Sequence, residues 1–330
     1  MNKIIPSKLK SGDEIRVIAP VRSLSIISKD QRVISIKNFQ KLGLNVTFGK
    51  HVEEKDEFVS SSIESRLEDL HDAFKDKNVK GIFTVIGGFN SNQLLKFIDY
   101  TLIKNNPKIL CGYSDVTALQ NAIYAKTGLV SYSGPHFSTL GMKKGLEYTK
   151  EQLRIALIHE KPYTLLPSHQ WSDDAWYKDQ VHRNFRMNPG YIVLNKGKAQ
   201  GTSIGGNLCT FQLLNGTEYQ PSFKDTILLV EDCVEDPTTF VPNFDRDLQS
   251  IIHQPGFEGV KGILIGRFET ASGMTLTVLR KIIKTKKELS DIPILANVDF
   301  GHTSPIAAMP IGGDISIYAG PKPYIRINKH

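Results

Sequence analysis

Residues 109–119 read Ile-Leu-Cys-Gly-Tyr-Ser-Asp-Val-Thr-Ala-Leu. The segment 108–111 is a short apolar run of strand type, and Val116 to Lys126 has the composition and spacing of a helix. Between them Gly112-Tyr113-Ser114-Asp115 forms a tight turn, with Gly112 two residues before the serine. A strand feeding directly into a helix is half of a parallel βαβ unit. Such an elbow exposes a hydroxyl with little steric cover and sets it beside unpaired N–H groups of a helix N-terminus. Ser114 is therefore a candidate nucleophile. The pattern is not a full G-x-S-x-G, because Val116 stands where the second glycine would be. By itself the segment fits equally well with Ser114 or Asp115 as a plain helix cap.

The same alternation extends outward through the first half. Strands are expected at 15–19, 44–48, 81–86, 108–111 and 130–133. Helices are expected at 29–42, 61–74, 92–100, 116–126 and 148–159, with Ser61 and Glu64 as a capping box. This predicts an α/β fold whose N-terminal domain, 1–160, is a doubly wound parallel sheet. Residues 161–190 change character: Pro162, Pro167, Pro189, Trp171 and Trp176 mark an aromatic linker or excursion. Residues 191–330 carry β-branched runs at 191–194, 226–230, 262–265, 292–295 and 315–318. They predict a C-terminal, strand-rich α+β domain.

Bulk composition excludes several classes. The 330 residues are enough for two cores, and 40% hydrophobic with 23% charged is ordinary for a globular chain. The formal charge of +7 is spread along the sequence instead of gathered, which argues against nucleic acid as partner. Lys281, Lys284, Lys286 and Lys287 form the densest group and read as the solvated face of a helix over 275–289. The net charge favours anionic small substrates by steering. Cys111, Cys209 and Cys233 are odd in number and far apart, so neither a disulfide framework nor a structural zinc site is expected. With no signal-peptide pattern and no apolar run near the ~20 residues of a membrane span, a cytoplasmic protein is expected.

A serine nucleophile needs a base and oxyanion donors. Gly87-Gly88-Phe89-Asn90-Ser91-Asn92 also follows a buried strand and opens a helix, so its backbone can approach a substrate closely. It lacks the residues of a phosphate loop and is not G-x-G-x-x-G. His302 lies in a Gly/Pro-bounded loop, 299–305, after a strand, where a base is expected. Glu231 ends the apolar run 226–230, where a carboxylate can orient an imidazole. Cys111 sits before the turn and points into the core, which disfavours it as the nucleophile. A non-catalytic small-molecule-binding module, with Ser114 and Gly88 holding an anion at helix N-termini, is the reading from a different class.

Together, GGFNSNQLL at 87–95, GYSDVTAL at 112–119, GGNL at 205–208, LLVEDCVED at 228–236 and FGHTSP at 300–305, in this order, resemble the LD-carboxypeptidase family of serine peptidases. The likeness is greatest to its microcin C self-immunity subgroup and runs over essentially the whole chain. It implies a Rossmann-like N-terminal domain, a strand-rich C-terminal domain with the cleft between them, a homodimer, and no cofactor. It also implies Ser114, His302 and Glu231 as a Ser-His-Glu triad, with the backbone N–H groups of Gly88 and Asp115 as oxyanion donors. Two substrate classes follow: peptidyl- or aminoacyl-nucleotides for the self-immunity type, and the terminal D-alanine of a murein tetrapeptide for the other. The segment 168–179 holds both tryptophans, Trp171 and Trp176, and resembles the self-immunity loop in which a tryptophan packs on the nucleotide, a role leaning to Trp176. Arg267 and Glu269, after the strand at 262–265, are expected to line the same pocket.

Overall fold

A computed structural model describes residues 2–330. In the N-terminal half, strands β1 (Glu14–Ile18), β2 (Asn45–Phe48), β3 (Val79–Thr84), β4 (Ile109–Gly112) and β5 (Ser131–Ser133) alternate with helices α1 (Lys29–Lys41), α2 (Ile63–Lys75), α3 (Tyr100–Asn105), α4 (Val116–Thr127) and α5 (Glu147–Ile158). The five strands are parallel, in the order β5-β4-β3-β1-β2. Continuous apolar runs suit this arrangement because a parallel sheet is covered on both faces. The strand order reverses at β1, and ligands of doubly wound sheets bind at such a reversal, outside the carboxyl ends of the strands.

The second half adds β6 (Tyr163–Leu165), β7 (Gln170–Trp171), β8 (Arg186–Met187), β9 (Ile192–Asn195), β10 (Gly197–Asn207), α6 (Leu208–Phe211), β11 (Thr226–Glu231), α7 (Phe240–Ile252), β12 (Val260–Gly266), α8 (Leu276–Thr285), β13 (Ile294–Val298), β14 (Met309–Ile311), β15 (Asp314–Ala319) and β16 (Tyr324–Lys329). Its eight-stranded sheet runs β6-β16-β15-β10-β11-β12-β13-β9. The four central strands β10 to β13 are parallel, and antiparallel strands flank them. This parallel centre is absent from the sequence reading. β14 leaves its own half and pairs antiparallel with β5, extending the first sheet. β6, from the expected linker, pairs with β16. Among the described residues, no helix is long and apolar enough to cross a membrane.

Several local expectations need correction. The cap of α2 is Ser62, whose hydroxyl accepts from the Ser65 amide, and not Ser61. The expected helix at 92–100 is instead a single 3-10 turn over Ser91–Leu94, and α3 begins only at Tyr100 with Asp99 as its cap. α8 is shorter than expected, starting after its Thr275 cap and ending at Thr285. Of the four lysines around it, Lys286 is buried and paired with Asp245, so the solvated face is formed by the other three.

One apolar cluster joins the two halves. It runs from Leu70 and Phe74 on α2 through Val116 and Leu119 on α4 to Ile204, Phe211 and Leu228. Asn121 on α4 clamps β10 from both directions. Its side-chain amide donates to the Gly205 carbonyl at 2.9 Å, and its Oδ1 accepts from the Gly205 N–H at 2.9 Å. One turn earlier, Thr117 Oγ1 accepts from the Asn207 N–H at 3.1 Å. Gly206 is required there, since a Cβ would lie 2.7 Å from Thr117 Oγ1. In register, Asn207 faces Glu231 on the next strand. The helix that follows Ser114 is thereby fixed relative to the strand that ends at Glu231.

Candidate active site

Ser114 has φ +61°, in the left-handed region that a non-glycine residue occupies only when its surroundings enforce it. Two glycines make room for this turn. A Cβ on Gly87 would lie 2.7 Å from Ser114 Cβ, and one on Gly112 would lie 2.2 Å from Thr84 Oγ1. Gly112 thus supplies space for the tight turn, and Ser114 itself takes the left-handed conformation. Asp115 ties the elbow to the glycine loop: its carboxylate accepts from the Ser91 N–H at 2.8 Å, and its carbonyl accepts from Ser91 Oγ at 2.6 Å. Burial raises the Asp115 pKa, and its hydrogen bonds from Ser91 oppose that rise. Arg66 secures the same loop by donating to the Asn90 carbonyl and to Gln93. Among the described residues, the Gly88 and Asp115 amides have no acceptor.

His302 Nε2 lies 3.0 Å from Ser114 Oγ, and its Nδ1 lies 2.7 Å from Glu231 Oε2. An ionised carboxylate only accepts hydrogen bonds, so Nδ1 carries the proton and Nε2 is left to accept from the serine hydroxyl. Glu231 is 3% exposed and His302 18% exposed, so solvent screens the pair weakly. Burial works against a charged His302, but the charge and hydrogen bond of Glu231, aided by Glu269 and Asp232, outweigh it and raise its pKa. Gly301, at φ +99°, makes the approach possible: a Cβ would fall 2.5 Å from Glu231 Oε2. Behind Glu231, burial and then the Glu231 charge push Asp232 up to about 6. The chain of serine, imidazole and carboxylate is able to draw a proton from the hydroxyl and later return it to a leaving group.

These residues open onto a cavity of 370 Å³ at the carboxyl ends of both sheets. Its wall includes Gly88, Trp176 and Glu269 but neither Trp171 nor Arg267. Trp171 instead lies between the guanidinium groups of Arg186 and Arg267, at 5.0 and 5.2 Å. Arg267 is buried, donating to Asp299 Oδ1 at 2.7 Å and to Asn297 Oδ1 at 2.8 Å. Asp299 also accepts from Ser168, so this arginine braces the start of the loop that carries His302. The pocket role expected for these two residues is corrected accordingly. Glu269 accepts from the Val234 N–H at 2.9 Å, and burial raises its pKa.

The segment 172–177 lines the cavity. Ser172 and Ser304 exchange backbone hydrogen bonds at 2.8 Å, Asp173 accepts from the Thr270 N–H, and the Tyr177 carbonyl accepts from the Gln31 side chain on α1. The expected bias toward anionic substrates is not written into the cavity, where Asp173, Asp174, Glu235 and Glu269 face a single arginine, Arg22. Sequence reasoning missed Arg22, Phe89 and His136. The last had a usable signal, for it follows a strand in a Gly-Pro-bounded turn, as His302 does.

The sequence pattern of the LD-carboxypeptidase N-terminal domain matches residues 15–134, and that of the C-terminal domain matches residues 200–317. The chain belongs to the LD-carboxypeptidase family. It is therefore a serine-type hydrolase of a carboxypeptidase family. It is 56% identical to "Putative carboxypeptidase YocD" of Bacillus subtilis (strain 168), over 95% of each chain. Its structure superimposes on that of an MccF-like protein from Bacillus anthracis str. Ames with a TM-score of 0.98 and 52% identity, covering 99% of this chain and 100% of that one. It also matches the microcin C7 self-immunity protein MccF of Escherichia coli, solved in complex with aspartyl sulfamoyl adenosine. There the TM-score is 0.87 and the identity 28%, with 99% of each chain covered. As an LD-carboxypeptidase family member, the chain keeps the α/β domain and the strand-rich domain together along its whole length.

Proposed function

We propose that this protein hydrolyses the amide or acyl-phosphoramidate bond of peptidyl- or aminoacyl-nucleotides, with Ser114 as nucleophile, His302 as base and Glu231 as its orienter. The observation that carries the reading is the unbroken relay of 3.0 and 2.7 Å from Ser114 through His302 to Glu231. His302 Nε2 takes the hydroxyl proton as Ser114 Oγ attacks the scissile carbonyl. The free amides of Gly88 and Asp115 receive the oxyanion, each such donor being worth roughly 10²–10³ in rate. His302 then gives its proton to the leaving group, and water, activated by the same imidazole, releases the acyl group from Ser114 Oγ.

The nucleotide half of the reading rests on Trp176. It is the one tryptophan on the cavity wall, and an indole there offers a stacking surface for a planar base. The likeness to MccF, whose solved structure holds aspartyl sulfamoyl adenosine, supports the same assignment. The competing substrate is a murein tetrapeptide losing its terminal D-alanine, in keeping with the family description. Purified protein is to be assayed against both. Aspartyl sulfamoyl adenosine should be cleaved, cleavage should disappear in Ser114→Ala, and Trp176→Ala should slow this substrate more than the tetrapeptide. Normal turnover by Ser114→Ala would overturn the nucleophile assignment, and turnover of the tetrapeptide alone would overturn the nucleotide assignment. We also propose that the protein acts as a homodimer, to be checked by light scattering.

A further inference from the structure

Arg22 follows β1 and Gly88 follows β3, strands that are neighbours at the reversal of strand order. Ligands of doubly wound sheets bind at such a position. Two side chains fix the loop that carries Arg22. Ser60 Oγ donates to the Val21 carbonyl at 2.5 Å. Arg66 Nη1 donates to the Pro20 carbonyl at 3.3 Å and to the Asn90 carbonyl at 3.1 Å. One guanidinium thereby ties the loop before Arg22 to the loop after Gly88. The Arg22 side chain itself lies against Gly88, where a Cβ would be 3.1 Å from its Cγ and 3.5 Å from its Nε. Its Cζ stands 5.0 Å from the centre of the Phe89 ring. Stacking on an aromatic face restrains a long side chain without using its N–H groups.

Those N–H groups are unspent. Among the described residues the Arg22 guanidinium makes no hydrogen bond and no ion pair, and each of its nitrogens keeps accessible surface. The acids of the cavity have partners of their own: Asp174 accepts from Arg183 at 2.6 Å, Asp173 lies 3.3 Å from Arg186, and Glu269 accepts from the Val234 N–H. Arg22 is also the one lysine or arginine on the cavity wall among the described residues. A planar fork of unpaired donors fits the paired oxygens of a carboxylate or phosphate. Both substrate classes carry an anion close to the scissile bond. In a terminal D-alanine the carboxylate is on the carbon joined to the scissile nitrogen. In an acyl-phosphoramidate, or an acyl sulfamate, the anionic centre is joined to that nitrogen directly. Beside Gly88, which on the proposed function holds the scissile oxygen, Arg22 reaches a group only a few atoms from that carbonyl. We propose that Arg22 binds the anionic group on the leaving-group side of the scissile bond. It thereby selects a bond next to an anion over an internal peptide bond, whose flanking group is a neutral amide. This rests on the proposed function for the position of the scissile bond.

The test uses binding to the Ser114→Ala protein, in which no turnover interferes. Two pairs of ligands are titrated by calorimetry, each pair differing only on the leaving-group side. One is the murein tetrapeptide with its C-terminal carboxamide. The other is aspartyl sulfamoyl adenosine with the neutral aspartyl amide of 5′-amino-5′-deoxyadenosine. In at least one pair the anionic member should bind roughly tenfold or more tightly, the size of a hydrogen bond to a charged group. The pair that shows it identifies the source of the anion. Arg22→Gln should remove the preference while leaving the affinity for the neutral member within about threefold. Arg22→Lys, which keeps the charge but not the planar fork, should keep part of it. If Arg22→Gln fails to fold, that partial loss is the reading, and an unchanged preference in Arg22→Lys overturns the proposal. Absence of a preference in both pairs, including absence of binding, overturns it, as does a preference that survives Arg22→Gln. If the preference is present but Ser114-intact protein turns over neither substrate class, the proposed function fails alone. If turnover is present without an Arg22-dependent preference, the role of Arg22 fails alone.

Discussion

Replacing Glu231 by Gln probes the relay at its most buried point. The carboxylate is 3% exposed and 2.7 Å from His302 Nδ1, while His302 is 18% exposed. Removing one partner of a buried charged pair costs roughly 3–5 kcal/mol, because the other is left uncompensated. Here the uncompensated charge is the imidazolium formed as Ser114 attacks, so the cost falls on the transition state and corresponds to roughly 10²–10⁴ in rate. A glutamine can also offer its N–H₂ to Nδ1 and stabilise the wrong tautomer, and the analogous change in a Ser-His-Asp peptidase costs about 10⁴. The expected loss in kcat/KM is therefore roughly 10³–10⁴. The pH profile separates this from a general loss of structure. Burial alone would lower the His302 pKa, and it is Glu231, first among three carboxylates, that raises it. The wild-type acid limb should thus lie above the ordinary histidine range, and in Glu231→Gln it should move to lower pH. Stability changes in the opposite sense. A histidine with a raised folded pKa stabilises the folded state fully below its unfolded pKa, and that stabilisation is lost as pH rises through the folded value. Glu231→Gln should therefore lose more melting temperature at pH 5.5 than at pH 8.5. A variant with more than a tenth of wild-type activity, or with an unmoved acid limb, would refute the assignment of Glu231.

Gly301→Ala would place a methyl group 2.5 Å from Glu231 Oε2 at φ +99°; it should lower kcat about 10²-fold or more through the displaced carboxylate and cost about 1–3 kcal/mol of stability in chemical denaturation. Ser114→Gly relieves a backbone held at φ +61°; relative to Ser114→Ala it should be more stable by about 1 kcal/mol, read as a higher melting temperature, and both should be inactive. Asn121→Ala removes both halves of the Gly205 clamp and strands a buried N–H and a buried C=O; urea unfolding should show a loss of roughly 2–5 kcal/mol, and a loss below about 1 kcal/mol would mean that the clamp contributes little.

The parallel half was legible because most of its strands are apolar runs between helices, as at 109–112, and the observed strand bounds differ from those read by a residue or two, the helix read at 92–100 being the exception. β10 was not legible. Its sequence, GKAQGTSIGGN, has glycines and polar residues where strand readings look for β-branched ones. Gly201, Gly205 and Gly206 are there because α4 and the β11 strand with its entry approach too closely for side chains, a tertiary demand with no local trace. Ser114, His302 and Glu231 stood at turns that follow apolar strands, and this pattern survives translation into structure. Arg267 stood in a similar setting and Trp171 in the aromatic linker, yet their side chains turn to each other, and Arg267 to Asp299, instead of to the cavity. Strand-end position tells which end of a sheet a residue reaches, but not the direction in which its side chain is spent. His136 shows the converse, because its pairing with Thr84, far off in sequence, is visible only through the fold.

The relay joins groups from both sheets: Ser114 follows β4, Glu231 ends β11, and His302 follows β13. A hinge between the halves would break it on every opening, and would also expose the cluster that runs from Leu70 to Leu228 and split Asn121 from Gly205. At about 25 cal/mol per Å² of apolar surface, parting such an interface is far costlier than moving a loop. Segment 172–177 lines the cavity, held by hydrogen bonds from Ser172 to Ser304 and from Thr270 to Asp173 and by Trp176, which packs partly buried against the N-terminal core cluster. Moving this segment would break fewer contacts than parting the halves, and the rigid joint behind it holds the elbow at Ser114. Trp176 rides on that loop. On the proposed function, a substrate base stacked on Trp176 would hold this segment beside Ser114 and so couple recognition of the distal part of the substrate to exclusion of water from the serine.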